Sequence, residues 1–467
     1  MCLNKVGAGQ WGFGLNSLDK VMSITFDEII PAAVKVLREF SEVVDNLEWM
    51  VINRDLNGKV RFIIPDEVCS SNGKWLEIYK NLSDNIGAHA YDQKSGILYE
   101  KSLDIVRQGA SYYRLDEFKS VWVVDRLATE GNWSSIAPAS SEVCRVVFFS
   151  IKGGVGRSTA LAATAWSLAQ DGKRVLVLDL DLESPGLSST LLPQDRMPKY
   201  GIVDWLVEDL VGNSDPVLGS MYASSNLSRD GQIYVVPAHG LDHGEYISKL
   251  GRVWMSKNLN DGSREVWSSR LNRLLAQLEK EISPDVILID SRSGIDEIAS
   301  ACITDMGANL VLLFALEGVQ TWNGYRMLFE QWQRSGIADD IRTRLQVVGA
   351  IVPETDRVLY TNELRESSYS AFLDTLYDEI APASKGAVGK IGSKAWHVGE
   401  VNEGWSFDEF DCTAPHYPWI VYWNSGFTGL FSIQGRLVDI DEQEVRAVFG
   451  KLIEGVNTFS SIGKSYE

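Results

Sequence analysis

Residues 152–159 read Lys-Gly-Gly-Val-Gly-Arg-Ser-Thr, with the wholly apolar run Val146-Val-Phe-Phe149 before them and an alanine-rich stretch of helical spacing after them. Few folds accommodate that order. A short run with no polar alternation is what a strand buried on both faces looks like. Gly153, Gly154 and Gly156 allow positive φ, so that successive N–H groups can turn inward, and a helix starting near Ser158 adds its partial positive charge. Gly153, Gly154, Val155, Gly156 and Arg157 would then cradle a phosphate chain. Ser158 would offer its hydroxyl to Mg2+, and Thr159 would sit at the α and β phosphates.

The same strand signal recurs along the chain, at Val175–Leu178, Tyr234–Val236, Val286–Ile289, Leu310–Phe314, Val347–Val352 and Ile420–Trp423. Amphipathic stretches such as Ala160–Gln170 and Arg270–Ile282 lie between these runs. This alternation predicts an α/β fold with a doubly wound, mostly parallel sheet. At 467 residues the chain also exceeds the size at which one core stops growing. The first part reads differently, with a helical pattern at Phe26–Val44 and strand-like runs at Leu47–Asn53, Val60–Ile64 and Ser120–Val124. A smaller α+β domain is expected over 1–135, acting as a sensor or partner-binding module, then a linker at 136–144 and the α/β domain over 145–467. An irregular insertion near 384–410 carries Gly386, Gly389, Lys390, Gly392 and Lys394, but no apolar strand leads into it, and a surface loop is expected. The stretch from Val445 to Val456 has one apolar helical face and reads as a docked helix.

The formal net charge of −19 argues against a broad nucleic-acid footprint, because phosphate contacts need clustered Lys and Arg. No apolar run approaches the ~20 residues that span a bilayer, and a soluble, cytoplasmic protein is expected. The five cysteines form no CxxC pair and read as structural thiols. His239 and His243 lie four apart, but in a glycine-rich stretch rather than a predicted helix, so a zinc site is not expected there.

Three segments resemble the MinD and ParA family of P-loop ATPases, whose deviant Walker A loop reads KGGxGK[ST][ST]. Here that loop is Lys152 to Thr159, with Arg157 in place of the second lysine and Ile151 where the family often has glycine. The segment Lys173-Arg-Val-Leu-Val-Leu-Asp-Leu-Asp181 is similar to the family's second signature, and Asp285-Val-Ile-Leu-Ile-Asp-Ser-Arg-Ser-Gly294 to its Walker B strand and switch. Gln232–Ala238 and Asn309–Ala315 echo further family strands, so the likeness spans roughly 145–355.

The resemblance implies a P-loop nucleotide-binding fold that takes ATP with Mg2+. It implies that Lys152 reaches across an ATP-sandwiched homodimer to the partner's phosphates. Asp181 would orient the attacking water and approach the metal, with Asp179 as its structural companion. Asp290 would hold Mg2+ through water, and Gly294 would bring a backbone N–H to the γ-phosphate. Arg157 keeps a charge at the loop but is bulkier than an ammonium. Arg292 is expected to pair with a carboxylate rather than with phosphate.

The function this implies is a slowly hydrolysing, nucleotide-dependent dimerisation switch coupled to the N-terminal domain and to a protein partner. The alternative is a non-hydrolysing, ATP-bound regulatory or scaffold protein. KGGVGR variants with an extra N-terminal domain resemble proteins of bacterial defence or mobile-element operons. The family's iron-sulfur and zinc-bridged branches would need cysteine motifs that are missing here, and its tyrosine kinases a tyrosine-rich tail where this chain has Tyr466. Asp441–Phe459 mixes Arg446 and Lys451 with Asp441, Glu442, Glu444 and Glu454, which argues against a basic membrane anchor of the MinD type. DNA binding by a dimer is not supported by the charge.

Overall fold

The computed structural model describes residues 24–127, 133–227, 231–378, 404–427 and 442–462. The insertion's glycines and lysines between Gly386 and Lys394 lie outside them, as does Tyr466. The chain divides into two compact units, Met1–Leu127 and Ala128–Glu467.

The first unit is an α+β structure around a five-stranded mixed sheet. Its strands are β1 (Met50–Arg54), β2 (Val60–Pro65), β3 (Ile97–Glu100), β4 (Ser111–Arg114) and β5 (Val121–Asp125), in the order β3-β2-β1-β5-β4. β1 runs parallel to β5 and antiparallel to β2, while β4 closes an antiparallel edge on β5. The predicted Phe26–Val44 helix is a 3-10 turn followed by helices Ile29–Glu39 and Ser41–Val44. Ile29, Ala33, Val36 and Leu37 recur at helical spacing and are buried in one core with Trp75, Tyr79 and Leu82 of the helix Asn72–Ile86. The other face of the sheet carries a smaller cluster around Trp49, Val51, Ile63, Val106 and Val124.

The second unit is doubly wound. Its strands are β6 (Cys144–Ser150), β7 (Arg174–Asp179), β8 (Ala223–Ser224), β9 (Gln232–Val236), the two-residue pair β10 (Lys257–Asn258) and β11 (Arg264–Glu265), β12 (Val286–Ser293), β13 (Leu310–Ala315), β14 (Leu345–Val352) and β15 (Trp419–Tyr422). Eight of them form one sheet, ordered β15-β14-β13-β6-β12-β7-β9-β8 and parallel throughout except for the edge strand β8. All seven apolar runs read from the sequence fall on these strands, apart from Trp423, which lies one residue beyond β15. They are continuous because helices cover both faces. Val147, Phe149 and Ile289 face one core, and Val146, Phe148 and Leu288 the other.

The helix Arg157–Gln170 is buried along most of its length. Its alanines at 160, 162, 163, 165 and 169 leave so little side-chain bulk that it lies close to the sheet beneath the helix Glu442–Ile462, which packs against it. The stretch before β6 is hydrogen-bonded along this unit. Ala137 and Ser140 donate their N–H groups to the carbonyls of Thr304 and Gly307 at 2.7 and 2.9 Å.

Candidate functional site

β6 lies at the middle of the sheet, where the strand order reverses: from it the chain passes out to β7 and β9 on one side, returns to β12 beside it, and crosses to β13 on the other. Loops at the C-terminal ends of strands beside such a crossing open into a crevice. The glycine-rich turn leaves β6 at this point. Gly154 and Gly156 both take φ +75°, and Gly156 is the residue that precedes the helix beginning at Arg157. Gly153 does not take positive φ. A Cβ there would stand in ordinary contact with the Ser293 hydroxyl, at 3.4 Å.

The turn borders a cavity of about 460 Å³. Gly153, Gly154, Val155, Gly156, Arg157, Ser158 and Thr159 line it, as do Ser150, Asp181, Ser184 and Ser293 from the ends of β6, β7 and β12. Ile351, beside Gly156, and the segment from Val421 to Asn424 also line it. Ile351 is held at φ +51°, a costly conformation for a β-branched residue, next to a register shift between β14 and β15. A Cβ on Gly156 would lie 3.4 Å from its side chain.

Beneath the turn, two functional candidates, Arg157 and Ser158, converge on one carboxylate. Asp290 ends the apolar part of β12 and is 1% exposed. Its Oδ1 accepts from Nε of Arg157 at 2.7 Å, and its Oδ2 from the Ser158 hydroxyl at 2.6 Å. Nη1 of Arg157 donates to the Ser150 hydroxyl at 3.1 Å, and its Nη2 lies 3.7 Å from Oδ2 of Asp181. Asp181 also accepts from the backbone and hydroxyl of Ser184 at 3.3 and 3.0 Å. Burial pushes the Asp290 carboxyl up, against the pull of Arg157 and Ser158. Burial would lower the Arg157 guanidinium, but Asp290, with Asp181 and Asp179 behind it, outweighs this and holds the guanidinium above its ordinary value. Asp179 is fully buried; its Oδ2 accepts from the backbone and hydroxyl of Ser188, and burial with the nearby Asp290 pushes its carboxyl up to about 7.

Of the expected residues, Asp290 lies beneath the lining, and Lys152 and Gly294 stand apart from the cavity. Nζ of Lys152 donates to Oε1 of Gln320 at 2.7 Å, and Lys152 is not among the lining residues. Gly294 takes φ +98°, but its N–H donates to the Ser150 carbonyl at 2.9 Å, so that bond rather than a phosphate claims it here. Arg292 pairs with Glu183 at 2.6 Å and Asp296 at 3.2 Å, the structural role that its sequence context favours.

Residues 146–366 match the model of the CobQ/CobB/MinD/ParA nucleotide binding domain. This part of the chain belongs to the MinD/ParA-like P-loop family. The chain is 25% identical over 178 residues to the septum site-determining protein MinD of Buchnera aphidicola subsp. Acyrthosiphon pisum (strain APS), covering 38% of this chain and 52% of that protein. It is 42% identical over 55 residues to a protein of Aquifex aeolicus (strain VF5) named as an arsenical pump-driving ATPase, covering 12% and 14%. The chain therefore spans about half, or much less, of the curated relatives it matches. The MinC:MinD cell division protein complex of Aquifex aeolicus is similar in structure at 16% identity, covering 70% of this chain and 98% of that one, with a TM-score of 0.40.

Within the MinD/ParA-like loop, two departures have visible consequences. Ile151 packs on the helix Val319–Ser335 where Gly324 leaves room, since a Cβ on Gly324 would lie 2.5 Å from it. Arg157, at the edge of the cavity, turns its guanidinium to Asp290, Ser150 and Asp181. Ser158, Asp181 and Asp290 supply the hard oxygen donors that Mg2+ takes, and one or two carboxylates with substrate phosphates are its usual set. Arg157 stands among those donors. Among the described residues, no group of three or more His, Cys, Asp or Glu side chains is placed to hold a metal ion.

The sequence pattern does not single out the 421–424 side of the cavity. Tyr422 and Trp423 close the last apolar run and Asn424 follows it, at the end of β15. Tyr422 lies under the guanidinium of Arg357 at 4.3 Å, Trp423 is 41% exposed, and Oδ1 of Asn424 accepts from the Gly426 N–H at 2.7 Å. The available signal is positional, as aromatic and amide side chains at the C-terminal end of a sheet strand face the crevice. Among the described residues, no helix is long and apolar enough to cross a membrane.

Proposed function

We propose that the second unit binds ATP at the Lys152–Thr159 loop and works as a nucleotide-dependent dimerisation switch with slow hydrolysis, coupled to the first unit and through it to a protein partner. The observation that carries this reading is the direction of Lys152. Its ammonium leaves its own cavity for Gln320, which suits a lysine that serves the phosphates of a second copy. Gly153 to Arg157 would hold the phosphates by backbone N–H groups at the start of a helix, with Thr159 beside them. Asp181 would orient the attacking water, and Ser158, Asp181 and Asp290 would serve Mg2+ during turnover. Gly294 would exchange its bond to Ser150 for the γ-phosphate, an ordering step of the kind that switches use. Trp423 offers a flat face to the base.

Lys152→Ala should abolish ATP-dependent dimerisation in light scattering, and an undiminished dimer would overturn the switch. A second reading, an ATP-bound scaffold that does not hydrolyse, is favoured by the engagement of both Asp290 and Asp181 with Arg157. Phosphate release separates the two. Hydrolysis that falls to background in Asp181→Ala supports the switch, and equal background rates in both proteins support the scaffold.

A further inference from the structure

The carboxylates below the phosphate loop already hold a cation. Arg157 is 7% exposed and anchored at three points, by Asp290, by the Ser150 hydroxyl and at longer range by Asp181. The second oxygen of Asp290 accepts the proton of Ser158. A divalent cation would have to share these donors with a guanidinium a few ångströms away, and Mg2+ in particular demands near-ideal octahedral geometry and gives up its waters reluctantly.

A lysine at this position could swing its single point charge from carboxylate to phosphate. The planar fork of Arg157 bonds Asp290 and Ser150 and lies near Asp181 in one fixed orientation, and drawing it out would leave Asp290 as a buried carboxylate with no cation beside it. We infer that Arg157 is a built-in counter-ion which takes the divalent cation's part in nucleotide capture, so that this site binds a nucleoside triphosphate without needing Mg2+. The phosphates then rest on the backbone N–H groups of the turn and on the helix N-terminus, with the fixed positive charge of Arg157 beneath them. The metal is left a role in turnover alone. This inference rests on the nucleotide-binding reading given above.

The test is a titration of the full chain with a fluorescently labelled ATP analogue, followed by anisotropy, in millimolar Mg2+ and again in excess EDTA. The expected dissociation constants agree within about threefold, and weakening of tenfold or more in EDTA overturns the inference. Arg157→Lys, shown to be folded by its melting curve, should acquire a dependence on Mg2+ of tenfold or more. If it stays as indifferent to the metal as the wild type, Arg157 is not the counter-ion and the inference fails. Should Arg157→Lys not fold, the wild-type comparison decides alone. Absence of binding in both conditions is a separate result, which removes the nucleotide-binding reading itself.

Discussion

Arg157 and Asp290, 133 residues apart in sequence, meet through a 2.7 Å bond between Nε and Oδ1 with both side chains almost closed to solvent. The pair ties the first turn of the helix after the phosphate loop to the end of the strand beside β6. Its geometry has a cost on each side, because two desolvated charges repay their burial only while both are present.

Arg157→Ala should therefore lower the unfolding free energy by about 3–5 kcal/mol, the range for removing one partner of a buried pair. Adding Asp290→Asn should recover part of that loss, since the orphaned charge is gone. Urea unfolding of the two single variants and the double variant measures this. A loss below about 1 kcal/mol in Arg157→Ala would show that the pair is not closed in solution.

The two left-handed glycines should differ in their tolerance of a methyl group. At Gly154 a Cβ meets open space, so Gly154→Ala carries only the left-handed backbone penalty of roughly 1–2 kcal/mol. At Gly156 the same penalty is joined by contact with Ile351, itself strained and backed by the sheet. Gly156→Ala should melt lower than Gly154→Ala and bind ATP more weakly. Equal melting temperatures would mean that Ile351 yields freely.

Much of the second unit is legible in the sequence for a physical reason. Strands buried on both faces have no polar alternation to blur them, so the runs Val146–Phe149 and Val286–Ile289 show both their strands and, at the end of the second, Asp290. The loop is legible because positive φ at Gly154 and Gly156 restricts residue type. The strands Ile97–Glu100 and Ser111–Arg114 are not, since each is four residues long and half exposed. The rest concerns direction. Whether Arg157 points to phosphate or to Asp290 depends on packing beneath the turn, and whether the Gly294 N–H is engaged depends on how β12 bulges past Ser150. The strain at Ile351 likewise leaves no mark in residue spacing.

A second buried carboxylate gives a pH-dependent prediction away from the cavity. Asp209 accepts from Arg270, Arg273 and Lys257, each at 2.8 Å. Burial alone would raise its carboxyl, but these three cations hold it down at about 2. Because the folded value lies below the unfolded one of about 3.9, the stabilisation is fully present above pH 4 and is lost as the pH falls towards 2. Asp209→Asn should melt well below the wild type at pH 7, with the gap narrowing as the pH is lowered from 4. A gap that stays constant over that range would place the effect in packing rather than charge.

Trp423 supplies the last prediction, because it separates recognition of the base from recognition of the phosphates. It lines the cavity that the glycine turn borders, it is 41% exposed, and it makes no ring contact among the described residues. A base lying on it would gain stacking, and the phosphates at Gly153 to Thr159 would be indifferent to it. Aromatic stacking on a base contributes roughly 1–3 kcal/mol where alanine substitution has measured it. Trp423→Ala should therefore weaken ATP by about fivefold or more and leave tripolyphosphate unchanged. Titration calorimetry with both ligands makes the comparison in one protein. Equal weakening of the two would mean that Trp423 shapes the phosphate side of the cavity, and no change in either would place the base on another wall.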